Sequence, residues 1–217
     1  MRGISIGLSI LLLGAGIGVP VILGALWPEY HWTANYLSEL GAVGAPHGAI
    51  MTYAGFLPVA ILWTLLTLLI GLRTSKTALT VAGVILLLGN SVSYFGAVMF
   101  RCDLGCPIEG STSQMMHNLL GIIGYLTTPL ALLLLGLHFL KANSKLLSML
   151  TFLTAASCLI GFFGMASPEL GDLTGVFQRM ADFSMFVWMF RGRHIAHVQL
   201  YKQRILTLYM QDASDYT

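Results

Sequence analysis

Charged side chains are scarce in this sequence, in which Asp, Glu, Lys and Arg together make up 9% of the 217 residues. A soluble domain carries about 25% charged residues, so this chain cannot cover a water-exposed surface. Hydrophobic residues make up 56% of the chain, and the mean hydropathy is +0.80. The net charge of +2, spread without a basic patch, argues against nucleic acid as a partner. We therefore predict an integral membrane protein whose partners are membrane lipids.

Cysteine is rare as well, since three cysteines in 217 residues exclude a disulfide-rich scaffold. Two of them, Cys102 and Cys106, lie close together in a polar segment. On the oxidising side of a membrane this pair favours a disulfide across a small turn. Zinc ligation by both cysteines and His117 is the alternative, although the spacing matches none of the usual short zinc motifs.

Long apolar runs dominate the rest of the chain and predict an all-α bundle of about six transmembrane helices. The first run is longer than the apolar region of a signal peptide, about 7–15 residues, so we expect a retained helix. The sixth is the least apolar because it contains Gln178, Arg179 and Asp182. We predict one domain over 1–190, with a basic tail over 191–217. The predicted spans are 4–26, 49–72, 77–100, 119–140, 146–166 and 171–190.

The basic residues predict the orientation of these spans. With a cytoplasmic N-terminus, nine of the eleven Lys and Arg residues fall on the cytoplasmic side, where short loops rich in such residues stay. Only Arg101 and Arg179 fall on the outer side. Both termini are therefore expected in the cytoplasm, and three polar segments, 32–48, 101–117 and 169–182, are expected on the outer side. The nine are Arg2, Arg73, Lys76, Lys141, Lys145, Arg191, Arg193, Lys202 and Arg204.

The first polar segment, 32–48, has helical character over 33–40 and ends at Gly41, a suitable C-terminal cap residue. Asn35, Ser38 and Glu39 are spaced to share one helical face. Two interpretations stay open. The segment is either an interfacial helix capped by its own polar groups, or a set of converging ligands that also includes His47.

Further polar residues lie inside the predicted spans. Asn90 is expected to face the bundle interior, because an unpaired polar group costs free energy in an apolar environment. Arg179 and Asp182 are three positions apart on the sixth span and are expected to form an ion pair. Ser167 and Pro168 are suited to begin that helix.

Four short motifs occur in order on one predicted side of the membrane: 35–41 (NYLSELG), 101–107 (RCDLGCP), His117, and Gly175 followed by Gln178 and Arg179. Together they resemble the prokaryotic six-span membrane family named domain of unknown function 998. The resemblance implies a six-span fold in a prokaryotic cytoplasmic membrane, and it implies no reaction. The Leu-Ser-Glu-Leu-Gly core is also similar, more faintly, to an element of the autophagy-modulator and GPI-lipid-remodelling membrane families, where an Asp is more usual than Glu39.

Three function hypotheses follow. The first is hydrolysis of, or acyl transfer to, a lipid or lipid-linked substrate at the outer face, through acid–base or metal chemistry. The second is a binder or transporter of a small solute, anion or proton. The third is a membrane assembly protein without catalysis. The candidate catalytic residues are His47, His117, Asp103 and Glu39, with His47 and His117 as the ligands of any divalent metal. The candidate substrate-binding residues are Asn35, Ser38, Asn90, Arg101, Arg179 and Asp182.

Overall fold

A computed structural model describes residues 2–191, which form six helices and contain no strand. The prediction of an all-α polytopic bundle is therefore confirmed. Five of the helices are long and apolar enough to cross a membrane. The predicted basic tail lies outside the described residues, apart from Arg191. The helices are α1 (Gly3–Ala25), α2 (Gly48–Arg73), α3 (Ala78–Met99), α4 (Thr112–Lys141), α5 (Lys145–Met165) and α6 (174–191).

Successive helices run in opposite directions, so the loops 26–47, 100–111 and 166–173 lie at one end of the bundle, which we call the loop end. The opposite end, called the far end, has only the short connections 74–77 and 142–144. The three polar segments of the sequence thus share one end. They contribute two short 3₁₀ turns, Leu37–Gly41 and Pro168–Leu173.

Local sequence explains where several helices begin or change. Thr77 and Thr80 form a capping box at the start of α3. The Ser111 hydroxyl accepts a hydrogen bond from the Gln114 N–H and so caps α4, which begins earlier than predicted. Pro58 of α2 lies two residues after a π-helical turn over Met51–Phe56.

Helix α6, the least apolar of the six, lies in the middle of the bundle. The Phe186 ring packs against Trp63 of α2 and Tyr94 of α3, at centroid distances of 6.2 and 6.0 Å. On α1, a methyl group added to Gly16 would lie 2.6 Å from the same ring. Trp188 donates from Nε1 to the Thr151 hydroxyl of α5 at 2.9 Å. A central position keeps the polar residues of α6 away from lipid, where each would cost several kcal/mol.

Candidate functional site

A small polar cavity lies between α3, α4 and α6, beneath the Leu37–Gly41 turn at the loop end. Its volume is about 40 Å³, which is enough for a few water molecules, since one needs about 10–15 Å³. Leu37, Phe56, Ala97 and Gly121 supply the apolar part of its wall. The polar side chains that matter for its chemistry are those of Asn90, His117, Tyr125, Gln178 and Asp182.

The Asp182 carboxylate ends a chain of hydrogen bonds that begins at the turn above the cavity. The backbone N–H of Ser38 donates to Oε1 of Gln178 at 3.3 Å. Gln178 donates in turn from Nε2 to the Tyr125 hydroxyl at 3.1 Å. That hydroxyl lies 3.2 Å from both carboxylate oxygens of Asp182 and donates to them. The turn, α4 and α6 are therefore joined through one polar wall.

Asp182 is only 3% exposed, and in residues 2–191 no Lys or Arg side chain pairs with it. The expected pair with Arg179 does not form, because that guanidinium turns toward the loop 26–47. Its Nη1 donates to the Trp32 carbonyl at 2.7 Å and to the Asn35 carbonyl at 3.2 Å. A buried carboxylate without a cationic partner is costly when charged. The cavity thus favours either a proton on Asp182 or a ligand that donates to it.

Asn90 contributes the second distinctive feature of the cavity. It is 3% exposed, and its Nδ2 has no hydrogen-bond partner among residues 2–191. The great majority of buried side-chain polar groups are hydrogen-bonded, so each exception needs an explanation. Because Asn90 lines the cavity, a molecule in that cavity can accept the missing hydrogen bond.

His117 lies on the same wall, with its Nδ1 2.9 Å from the Phe100 carbonyl oxygen. A carbonyl oxygen can only accept, so Nδ1 carries the hydrogen. In the neutral ring Nε2 is then an acceptor. Among the four predicted catalytic residues, His117 is the one that the structure places on the cavity.

The polar residues of the first loop have two different roles. Asn35 donates from Nδ2 to the buried Glu39 carboxylate at 2.8 Å. Its Oδ1 accepts from the His31 N–H at 2.7 Å. Ser38 instead faces the cavity. Asn35 and Glu39 therefore stabilise the turn that covers the site, and only Ser38 belongs to the cavity wall.

The two outer arginines hold loops in place. Arg101 donates from Nε to the Gly41 carbonyl at 2.7 Å and from Nη2 to the Ala42 carbonyl at 2.6 Å. Arg179 also donates to the Tyr30 hydroxyl and lies 5.4 Å from the centre of that ring. Burial raises the pKa of Tyr30 to about 12, although the neighbouring Arg179 acts in the opposite sense. The Tyr30 hydroxyl therefore stays neutral at physiological pH.

Asp103 and His47 lie away from the cavity. The Asp103 carboxylate accepts from the N–H and the hydroxyl of Ser111, both at 2.8 Å, and these bonds hold its pKa below the usual range. His47 is half-buried at the start of α2. The predicted catalytic set of His47, His117, Asp103 and Glu39 is thus not brought together around one reacting centre.

Cys102 and Cys106 are joined by a disulfide in the structure, in a turn where Gly105 and Cys106 have positive φ angles of 83° and 43°. The Ser38 hydroxyl lies 3.5 Å from the Cys106 sulfur and is the donor there. Within residues 2–191 no three His, Cys, Asp or Glu side chains are grouped so that they could hold a metal ion. The zinc alternative therefore has no ligand set in this part of the chain, and neither has any divalent metal held by His47 and His117 together with a third such residue.

This arrangement predicts a thiol count. Cys158 is the free cysteine, so the protein denatured without reductant should take up one maleimide, and the reduced protein should take up three. Intact-mass measurement distinguishes the two. As a control, the Cys102→Ser variant should take up two maleimides with or without reductant. Three labels on the unreduced wild-type protein would contradict the disulfide.

Sequence reasoning missed Tyr125, although the spacing contains a signal for it. His117, Gly121 and Tyr125 follow one another at intervals of four along α4 and all line the cavity. Residues at this spacing share a helical face. The tyrosine was overlooked because the run around it is apolar.

A family model described as "Protein of unknown function (DUF998)" matches residues 10–191 of the chain. No curated protein and no solved structure matches it significantly. The match covers helices α2 to α6 and most of α1. The chain is therefore a member of the DUF998 family.

Proposed function

We propose that this membrane protein binds a proton and a small polar solute in the cavity at Asp182, and that it acts as a proton-linked binder or transporter. The observation that carries the proposal is a buried carboxylate that has no cationic partner among the described residues and that faces a cavity with room for water. Ionisable residues inside a membrane domain are expensive and mark ion or proton paths and substrate sites. Asp182 has this character.

The groups around Asp182 suit reversible protonation. When the carboxylate is charged, Tyr125 donates to it, and Gln178 orients that hydroxyl by donating to its oxygen. When a proton is bound, the charge and its desolvation cost disappear. A solute that donates to the carboxylate and accepts from Asn90 Nδ2 would be complementary to the charged state. The preferred solute is therefore small, with a donor and an acceptor within a few ångströms of each other.

A lipid-directed reaction at this site has less support. A cavity of about 40 Å³ cannot enclose a phospholipid headgroup. Arg101 and Arg179, which were expected to hold such a headgroup, instead donate to the loop carbonyls of Gly41 and Trp32. From the hypothesis of a lipid-directed reaction we keep only the position of the site, at the outer face of the membrane. By the distribution of Lys and Arg, the loop end faces outward from a prokaryotic cytoplasmic membrane.

Infrared spectroscopy of the protein in lipid nanodiscs tests the proposal. The carbonyl stretch of a protonated carboxylic acid should be present at acidic pH and should vanish as the pH rises. The Asp182→Asn variant should lack this band. Asp172→Asn is the matched control, because Asp172 is exposed in the Pro168–Leu173 turn, and it should keep the band.

Transport is tested with the same variants in proteoliposomes that contain a pH-sensitive dye. A potassium gradient with valinomycin drives protons, in the absence and in the presence of small amines and hydroxy compounds. The wild-type protein and Asp172→Asn should acidify the lumen faster than empty liposomes. If Asp182→Asn matches the wild type in both the infrared and the flux measurement, the proposed function is wrong.

A further inference from the structure

We propose that the solute of the Asp182 cavity is a small primary ammonium ion that carries a hydroxyl group, and that this cation and the proton replace one another at Asp182. The inference rests on the proposed function and deepens it, because it names the chemical class of the solute and its relation to the proton. Four features of the cavity carry the argument: its charge, the acceptor positions of its carboxylate, its volume and the unpaired amide of Asn90.

The charge of the cavity favours a cation over a neutral molecule or an anion. The Asp182 carboxylate is 3% exposed, and no Lys or Arg side chain of residues 2–191 pairs with it. A neutral solute would leave this buried charge uncompensated and an anion would be repelled, whereas a cation forms an ion pair that offsets the desolvation of both groups. With His117 neutral, no titratable neighbour supplies a positive charge. Those neighbours are Tyr94, His117, Tyr125 and Cys158.

The carboxylate has acceptor positions that suit an ammonium group. An ionised carboxylate offers about four lone-pair positions and no donor. In the described part of the chain the Tyr125 hydroxyl donates to it, and its single hydrogen is shared between two oxygens at 3.2 Å each. A primary ammonium group brings three N–H donors, as the lysine side chain does. It can therefore bind at the positions that Tyr125 leaves open, which a quaternary ammonium group without N–H donors cannot do.

The volume of the cavity limits the solute to about four non-hydrogen atoms. The cavity measures about 40 Å³, and one water molecule needs about 10–15 Å³. Methylene, ammonium and hydroxyl groups are each close to a water molecule in size. Leu37, Phe56 and Ala97 offer apolar contact to a short carbon chain. A free amino acid is larger, and it would bring a carboxylate that Asp182 repels.

Asn90 requires an acceptor atom in the solute. Its Nδ2 is a donor that has no partner among residues 2–191, and a protonated amine has no lone pair with which to accept. A hydroxyl oxygen accepts this bond. Asn90 reaches the cavity from α3 and Asp182 reaches it from α6, so the two polar ends of one solute can bind to different helices. A nitrogen and an oxygen joined by two carbon atoms fill the available volume.

The cation and the proton exclude each other from Asp182. A protonated carboxyl group is neutral, so it no longer compensates the desolvation of a buried ammonium ion. The ammonium ion therefore binds after the proton has left, and the proton returns after the ammonium ion has left. One monovalent cation replaces one proton, and the net charge of the occupied cavity stays the same. The cavity is thereby an exchange site for the two cations.

Infrared spectroscopy in lipid nanodiscs tests this exchange, with ethanolamine as the probe. Its amine is charged at neutral and acidic pH, as that of lysine is. The measured quantity is the pH at which half of the Asp182 band is present. Because the probe binds the ionised carboxylate, this midpoint should fall by about one pH unit for each tenfold increase in ethanolamine above its Kd. All series cover the same pH range, so the titration of His117 affects them equally.

The comparison compounds are ethylamine, ethylene glycol and sodium chloride. Ethylamine offers no acceptor to Asn90 and should need an about tenfold higher concentration for the same shift, and the other two should cause no shift. An equal shift with any of the three, or no shift with ethanolamine, would overturn the proposed class of solute. If the band still titrates in that case, the proposed function stands. A missing band in the wild-type protein rejects the proposed function instead.

The Gly121→Leu variant tests whether ethanolamine acts in the cavity. Gly121 lines the cavity on the same helical face as His117 and Tyr125, and nothing lies within 4 Å of a methyl group added there. Leucine should occupy the space of the solute, so the shift should need an about tenfold higher ethanolamine concentration. Gly7→Leu is the matched control, because it has equal space but lies on α1. An unchanged shift in folded Gly121→Leu would overturn the proposal, and if this variant does not fold, the wild-type series decides.

Discussion

Replacing Gly161 with alanine should lower the free energy of unfolding by about 1–3 kcal/mol, the usual cost of overpacking. Gly161 is a point of close approach between α5 and α6. A methyl group there would lie 2.5 Å from the Phe177 carbonyl oxygen and 2.8 Å from Ala181 Cβ. A backbone oxygen can give way only if the whole helix moves. Since α6 carries Asp182, the same shift should also disturb the cavity.

The free energy of unfolding is measured by reversible unfolding in mixed micelles of a mild detergent and sodium dodecyl sulfate. Gly7→Ala is the matched control, because nothing lies within 4 Å of the added methyl group. Alanine is favoured over glycine in a helix by about 1 kcal/mol, so this control should be neutral or stabilising. Equal losses in both variants would show that glycine flexibility, and not close packing of α5 on α6, explains the effect.

The membrane bundle is the part of this protein that sequence predicts best. Hydropathy and the scarcity of charge were sufficient, because each spanning helix must be apolar over most of its length. The first loop was predicted less well. Helix was expected over 33–40, and the structure has only the 3₁₀ turn Leu37–Gly41. Helices this short are marginal by themselves, and external partners such as Gln178 and Arg101 decide the conformation here.

The candidate site was predicted in part. Ser38, Asn90, His117 and Asp182 were selected as polar residues in an apolar chain, and the structure places them on one cavity. Composition alone could not separate them from Arg101 and Asp103, which are equally polar. The residues of the cavity differ from Arg101 and Asp103 in their hydrogen-bond partners. A guanidinium can satisfy several loop carbonyls at once, whereas a buried carboxylate near tyrosine hydroxyls keeps capacity for a proton or ligand.

The arrangement of helices and loops in the bundle also decides which groups Arg179 and Asp182 contact. Arg179 and Asp182 are three positions apart and could have paired on an isolated helix. In the bundle, the Arg179 side chain lies beside the loop 26–47 and donates to the Trp32 carbonyl. Asp182 lies about one turn further along α6, next to Tyr125. The spacing of residues in a sequence does not show where the carbonyl groups of a folded loop will lie. The unpaired state of Asp182, on which the proposed function depends, could therefore not be read from the sequence.

Replacing Arg179 with methionine should loosen the cover of the cavity and lower the free energy of unfolding by about 2–3 kcal/mol. Each hydrogen bond to a charged group contributes about 1.5–3 kcal/mol, and this guanidinium is half-exposed, so the bonds do not add in full. The variant loses the bonds to the Trp32 and Asn35 carbonyls and to the Tyr30 hydroxyl. Amide hydrogen exchange over 30–41 should become faster, because three of the bonds that tie this loop to α6 are lost, and those from the Val176 N–H to the Thr33 carbonyl and from the Ser38 N–H to Gln178 remain.

Arg191→Met is the matched control, since Arg191 is an exposed arginine on the same helix, and exchange over 30–41 should not change. Arg179→Lys should fall between the wild type and Arg179→Met, because an ammonium group keeps the charge but cannot fork between several acceptors. Unchanged exchange in Arg179→Met would mean that the Asn35–Glu39 bond and Arg101 hold the turn without help. If exchange rises as expected while the infrared band of Asp182 persists, Arg179 controls access to the cavity and not its capacity to bind a proton.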